Sequence, residues 1–143
     1  MIIRPARLAD SLSVLALRND PDAVRYSPSG DLVSEAEHAK WYPLACYGSP
    51  VFFVASTGGV AVGFARVDIL AWVSVALDRE YRRRGWAREL VQVACAAFPG
   101  DVRAQVHQDN APSLRLFAAC GFKELYRDAP WVYFEREREH DRA

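Results

Sequence analysis

The sequence predicts a single α/β domain in which a mixed sheet carries helices on its faces. Three observations predict it. The 143 residues are 51% apolar, enough for one sizeable core and too few for two domains. Apolar residues recur at period two in several short runs and at helical spacing in others. Taken in order, the runs read β-α-α-β-β-β-α-β-α-β-β, and strands interleaved with helices in this way bury the helices against a sheet.

Residues 2–6 form a short opening strand. Asp10 is placed to cap a helix that carries Leu12, Leu15 and Ala16 on one side, and Asn19-Asp20-Pro21 ends it. Ser34 and Glu37 make a capping-box pair, so a second helix runs to about Ala45, with His38 and Lys40 exposed one turn from Trp41 and Tyr42. Strands at 51–55 and 60–68 flank Ser56-Thr57-Gly58-Gly59 as a hairpin. Residues 71–77 follow, with a composition that suits a strand buried on both faces. Ala87, Leu90, Val91, Ala94, Cys95 and Phe98 then fall on one helical stripe, which Pro99-Gly100 ends. After a strand at 102–107, Asn110 caps a last helix through Cys120, Gly121 closes it, and strands at 122–126 and 131–136 finish the domain. Residues 1–136 are thus one domain and the almost wholly charged residues 137–143 a solvated tail.

Charge and composition exclude several classes of function. Lys and Arg number 18, as do Asp and Glu, so no bulk attraction draws the chain to nucleic acid or to a membrane surface. No apolar run is long enough to span a bilayer, and Arg4 and Arg7 stand where a signal peptide needs apolar residues, which makes the cytoplasm the expected location. Cys46, Cys95 and Cys120 lack metal-ligand spacing and are expected to be reduced packing residues, with no metal site.

The stretch from Asp78 to Ala87 joins a strand to a helix and places Arg82, Arg83 and Arg84 together, with Arg88 one turn on. A helix start already carries partial positive charge and unpaired N–H groups, so cations there are unfavourable by about 0.3–1 kcal/mol each. An anion would satisfy both the N–H groups and the arginines, and Gly85, lacking a Cβ, would let it approach the backbone. The alternative is a solvated basic turn whose arginines pair with Asp78, Glu80 or Glu89.

Arg82-Arg83-Arg84-Gly85-Trp86-Ala87 resembles the acetyl-CoA signature of the GNAT superfamily of N-acetyltransferases: Gln or Arg, two residues, Gly, one residue, then Gly or Ala. Asn110, Ser113, Phe117 and the closing Gly121-Phe122 resemble its second cofactor motif. The resemblance implies the GNAT acyltransferase fold with a splayed central sheet, and acetyl-CoA as cosubstrate. It implies that N–H groups of residues 83–87 cradle the pyrophosphate, with added charge from Arg82, Arg83 and Arg84 at Gly85, Trp86 and Ala87. The pantetheine arm would pair with the backbone of Val73 and Val75, the Val75 N–H would face the thioester oxygen, Asn110 would bond the arm, and Ser113 and Arg115 would meet distal phosphates. The sequence departs from the family at Phe117, where a Tyr serves as acid; Tyr126, Tyr133 or water would then take that role, or the thiolate, with a thiol pKa of about 8.5, would leave unassisted.

Residues 18–27 and 37–41 resemble members that acetylate nucleotide-linked amino sugars, through an Arg-Asn pair ending the first helix and a His-x-x-Trp on the second. The resemblance implies Arg18 as a phosphate or sugar contact, His38 as a substrate contact or proton acceptor, and Trp41 with Tyr26 as an aromatic wall. Plainer roles stand beside these. Arg18 suits a helix C-terminus without any ligand, Trp41 suits a core, Glu37 suits a cap, and His107 is a spare base. The expected partner is a small-molecule amine, a sugar nucleotide first, acting with a monomer or homodimer. Protein N-termini, amino acids, polyamines and aminoglycosides are the alternative acceptors, and a non-catalytic acyl-CoA binder is the alternative of another class.

Overall fold

Strand pairing resolves into two antiparallel sheets in the computed structural model, which describes residues 1–139. Strands β1 (Ile2–Pro5), β2 (Val51–Thr57), β3 (Val60–Val67) and β4 (Val73–Leu77) lie side by side in chain order. Strands β5 (Val102–His107), β6 (Lys123–Asp128) and β7 (Trp131–Arg136) form the second sheet in the order β5-β7-β6. One parallel bridge joins the sheets, between Trp72 and Arg103, where the Arg103 N–H donates to the Ala71 carbonyl at 2.8 Å. Past that bridge β4 and β5 belong to separate ladders, so the sheet is split at its centre.

Helices cover the first sheet on both sides. From α1 (Ser11–Arg18) and α3 (Glu35–Gly48), Val14, Leu17, Tyr42 and Ala45 pack on Phe52, Val54, Ala61 and Phe64. On the opposite side, α4 (Trp86–Ala97) and α5 (Ala111–Ala119) close a core that includes Ala65, Val73, Leu90, Val91, Ala104, Phe117, Val132 and Phe134. This core runs across the split and holds the two sheets together. Gly63 permits the close approach of β3 to β4, since a Cβ there would stand 2.8 Å from Leu77 Cδ1 and 3.0 Å from the Ala76 carbonyl.

Several expectations need correction. Asp10 does not cap α1 with its side chain; it accepts from Arg4 at 2.8 Å through both oxygens and from the Arg7 N–H at 2.8 Å, which closes the short turn before that helix. Held by the Arg4 guanidinium against the opposing effect of burial, its carboxyl lies below the usual carboxylate range. The buried side of α1 is Val14, Leu15 and Leu17, while Leu12 is exposed. Pro21 ends α1 and at once opens a short helix absent from the predicted order, α2 (Pro21–Arg25), whose cap is Asp20 accepting from the Asp22 and Ala23 N–H groups. In α3 Ser34 accepts from the Glu37 N–H at 3.1 Å as predicted, and the helix continues three residues past Ala45.

β4 is not buried on both faces. Ser74 is exposed, and Val75 and Ala76 are half-buried, because the split removes the neighbour that would cover them. Of the tail, Glu137, Arg138 and Glu139 are exposed, yet Arg138 is tied back, its N–H donating to Asp101 at 2.7 Å and its guanidinium to the Pro99 carbonyl at 2.9 Å. Residues 140–143 lie outside the described residues. Cys95 and Cys120 are buried, Cys46 is half-buried, and all three are free thiols. No helix among the described residues is long and apolar enough to cross a membrane.

Candidate active site

The chain leaves β4 through a tight turn at Arg79–Tyr81, capped by Asp78 accepting from the Glu80 N–H at 2.9 Å, and reaches α4 through Gly85. Arg83 and Gly85 both have left-handed backbones, at φ 65° and 78°. Side-chain oxygens cap α2, α3 and α5, but none caps α4. Its first backward bond runs from the Glu89 N–H to the Gly85 carbonyl at 3.1 Å, which leaves the N–H groups of Trp86, Ala87 and Arg88 without intrahelical partners. Nothing stands within 4 Å of the place where a Gly85 Cβ would project. An open cluster of N–H groups at the positive end of a twelve-residue helix fits a diphosphate.

The arginines of this turn divide their work. Arg82 corrects the expectation for its side chain: Nε donates to the Leu77 carbonyl at 3.1 Å, Nη1 to Asp22 at 3.0 Å and Nη2 to Asp20 at 3.2 Å. Its partners are thus on α2 and its cap, and not the Asp78, Glu80 or Glu89 of a self-contained basic turn. The Arg84 guanidinium lies 5.3 Å from the Tyr81 ring centroid and 5.5 Å from that of Trp86, and those rings stack at 5.1 Å. Arg83 is exposed beside them.

Val75 lies on the open edge of β4. The Trp72 carbonyl accepts from the Asp68 N–H, and the Asp78 N–H donates to the Val62 carbonyl, so even-numbered residues of the strand direct their backbone groups to β3. Val73, Val75 and Leu77 therefore direct theirs toward the split. The Leu77 carbonyl is taken by Arg82, while Val75 lies past the Trp72–Arg103 bridge. Asn110 caps α5 through Oδ1, which accepts from the Ser113 N–H at 3.4 Å, and its amide NH2 makes no bond among the described residues. Arg115 is exposed and without an ion pair among them. The unpaired strand edge and the uncapped helix start together fit an extended arm ending in a diphosphate.

Across the sheet, His38 is 2% exposed, which corrects the expectation of an exposed helical histidine acting as proton acceptor. Nε2 donates to the Ser11 carbonyl at 2.8 Å and Nδ1 accepts from Arg18 Nη1 at 3.1 Å, leaving no free lone pair. Burial, and then the Arg18 charge, hold its pKa below the ordinary histidine value against the opposing Ser11 bond. Arg18 lies 4.0 Å from the Trp41 ring centroid and lines a cavity of about 440 Å³ with Trp41, Glu37 and residues of the segment after α2.

The sequence model of the acetyltransferase (GNAT) family matches residues 15–122, most of the chain. The chain belongs to that family. It is accordingly an acetyl-CoA-dependent N-acetyltransferase. No curated protein matches it in sequence. Among solved structures, the yncA protein of Salmonella typhimurium with its cofactor acetyl-CoA is 19% identical at a TM-score of 0.79, with 100% of this chain and 96% of that one covered. The phosphinothricin acetyltransferase of Sinorhizobium meliloti in complex with acetyl-CoA is 20% identical at 0.80, covering 96% and 88%. A ribosomal-protein-alanine N-acetyltransferase from Brucella melitensis is 23% identical at 0.74, covering 96% and 99%. At these identities the likeness is one of fold.

Within this GNAT domain the remaining candidates fall apart into separate groups. Trp41 clusters with Arg18 and His38, whereas the Tyr26 ring lies 5.5 Å from His107, which meets Trp131 edge-on at 5.4 Å, so the two aromatics expected as one wall have different ring neighbours. His107 accepts from the Asp109 N–H at 3.1 Å through Nδ1, so in the neutral ring Nε2 carries the proton and is a donor. Tyr126 belongs to the outer strand β6, with β7 and β5 between it and the split, two strand spacings or about 10 Å of sheet from β5. Its exposed ring stacks on Tyr133 at 4.5 Å, and the intervening strands keep it from adjoining Val75. Phe117 is buried against Phe122 and Phe134. Among the described residues no group of three or more His, Cys, Asp or Glu side chains could hold a metal. Sequence reasoning missed Arg66, whose signal was a lone arginine inside the apolar run of β3, and the carboxylates Asp20 and Asp22 that hold Arg82.

Proposed function

We propose that this enzyme acetylates the primary amine of an anionic small molecule, with a nucleotide-linked amino sugar as the leading acceptor, in the cytoplasm. The observation that carries the transfer chemistry is the free backbone edge at Val75 beside a helix start that no side chain caps. Bound acetyl-CoA would supply a thioester whose C–S bond breaks as the amine forms its C–N bond; the amine proton passes to water, and the coenzyme sulfur leaves as thiolate and takes up a proton from water. The N–H groups of Trp86, Ala87 and Arg88, with Arg83 and Arg84, hold the diphosphate end, and the Asn110 amide and the backbone of Val73 and Val75 hold the arm. The Val75 N–H donates to the carbonyl oxygen where negative charge develops, a contact that strengthens as the charge grows. Ser113 and Arg115 flank the same end from α5.

Phe117 supplies no proton to the departing sulfur, since its ring has none to give and is buried. A thiol ordinarily ionises at about 8.5, so the departing sulfur needs no acid near neutral pH. The amino-sugar acceptor rests on the sequence resemblance at residues 18–27 and 37–41 and on the arginines that face this side.

Free-thiol release is the test, with acetyl-CoA and a panel holding a uridine-diphosphate amino sugar, amino acids, a polyamine, an aminoglycoside and an alanine-terminated peptide. The sugar nucleotide is expected to give the highest kcat/KM. A higher value on a polycationic amine would overturn the anionic acceptor, and coenzyme binding without thiol release on any amine would favour a binding role.

A further inference from the structure

Arg66 is the one polar side chain among buried neighbours in β3, and it points to the side of the sheet opposite α4. Its guanidinium carbon lies 5.1 Å from the Trp41 ring centroid, and that of Arg18 lies 4.0 Å from the same centroid. The two cations are therefore no farther apart than those distances laid end to end. Arg66 Nε donates to Ser49 Oγ at 2.8 Å, and Arg18 donates to His38. Both partners are neutral.

Other part-buried arginines behave differently. Arg4 meets Asp10 and Arg82 meets Asp20 and Asp22, whereas no carboxylate among the described residues comes within 4.0 Å of Arg18 or Arg66. The nearest acids do not fill the gap. Asp68 uses its carboxylate on the Leu70 and Trp72 N–H groups at 2.9 and 3.0 Å, and Glu37 and Asp31 line the cavity beside Arg18 without reaching it. Burial pulls both guanidinium groups below the ordinary arginine value, Arg66 pulls Arg18 lower still, and the charges of Glu37 on Arg18 and Asp68 on Arg66 oppose this only in part. Two like charges kept half-buried around one indole, with no directly paired carboxylate among the described residues, are stabilised by an added anion; cation–π contact offsets only part of the cost of holding them there.

Their position gives the anion a role. Arg66 pairs with Ser74 across β3 and β4, one residue before Val75, and its side chain runs over the α3 side of the sheet to Ser49 and Trp41, so the guanidinium pair lies on the face of the split sheet opposite α4. We infer that Arg66 and Arg18, spaced by Trp41, form an oxyanion-binding clamp for the acceptor, which selects amines that also carry a carboxylate or a phosphate. The clamp rests on the acetyl-transfer function proposed above and deepens it by naming what the acceptor must bear. His38 is its positioning residue, holding Arg18 through a neutral ring.

Two matched pairs test it at saturating acetyl-CoA: an amino acid with its methyl ester, and an amino sugar with its uridine-diphosphate derivative. One anionic member is expected to exceed its neutral counterpart by about tenfold or more in kcat/KM, the scale of one charge-assisted hydrogen bond, and the pair that shows it identifies carboxylate or diphosphate. Arg66→Gln is expected to collapse that preference toward unity, with Arg66→Lys intermediate because it keeps the charge and loses the planar fork. No preference in the native enzyme, or a preference that survives Arg66→Gln, overturns the clamp. So does an equal fall on both members of a pair.

Titration of UDP and of an N-acetylated amino acid into the CoA-saturated proteins separates this from the transfer function. Binding that Arg66→Gln abolishes, with no thiol release on any amine, keeps the clamp and overturns the transfer; thiol release with Arg66-independent binding does the reverse. If Arg66→Gln loses the circular dichroism of the fold, Arg66→Lys and Arg18→Gln carry the same comparisons.

Discussion

His38 is a residue whose surroundings reverse its sequence-level role. On an isolated helix an exposed imidazole is a plausible base, but here Tyr42 stacks on it at 5.3 Å and both nitrogens are bonded. Its pKa is depressed in the folded protein, so the folded state binds its proton less readily than the unfolded chain does. The stability it contributes is therefore present above the unfolded value of about 6.5 and is lost as pH falls through the folded one. Protonation also turns Nδ1 into a donor, which ends the bond from Arg18 and puts two cations together. Acceptor KM is expected to rise only as pH falls through the depressed folded value, on the acid side of the ordinary histidine range, with acetyl-CoA KM steady, as initial rates across pH will show. His38→Ala should raise acceptor KM severalfold at neutral pH and flatten that acid limb. An unchanged limb would place the titrating group elsewhere.

At the scale of elements, caps explain which helices the sequence announces and which one is built to bind. Ser34, Asp20 and Asn110 each close a helix start with a side-chain oxygen, and α4 alone among the four later helices begins with an open one after a left-handed glycine. Gly85→Asp separates binding from folding. A non-glycine residue at φ 78° costs about 1–2 kcal/mol, while a carboxylate at a helix start returns about 0.3–1 kcal/mol. The melting temperature should therefore move only a few degrees, as a domain of this size shifts about 2–8 °C per kcal/mol. Acetyl-CoA affinity should fall about tenfold or more, because the new carboxylate occupies the N–H cluster and repels the diphosphate. Calorimetry that finds native affinity in a folded Gly85→Asp protein would place the diphosphate elsewhere.

For the whole molecule, Arg82 matters because it spans the two halves of the site. Its three nitrogens join the end of β4 to Asp20 and Asp22, and Arg79 adds longer contacts to the same acids at 3.9 and 3.8 Å. Burial opposes the ionised form of Asp20, but Arg82 and two N–H groups outweigh it and hold the carboxyl below its usual range. This link contributes above the ordinary carboxylate pKa and fades in acid. Arg82→Ala is expected to raise the KM of acetyl-CoA and of the acceptor together and to lower stability by on the order of 1 kcal/mol. A matrix of initial rates in which only one KM moves would show that the halves act separately.

The sequence by itself determined the alternation of strands and helices, the glycine hairpin, the caps at Ser34 and Asn110, and the turn at residues 82–87. Each of these is set by backbone sterics or by contacts a few residues apart. Only the tertiary structure decided which face of α1 is buried, that Asp10 and Arg82 serve long-range ion pairs, that His38 lies inside, and that Arg66 meets Arg18 across Trp41. Those outcomes depend on groups 6 to 62 positions apart in the chain, where burial and charge are properties of the packed neighbours rather than of the residue.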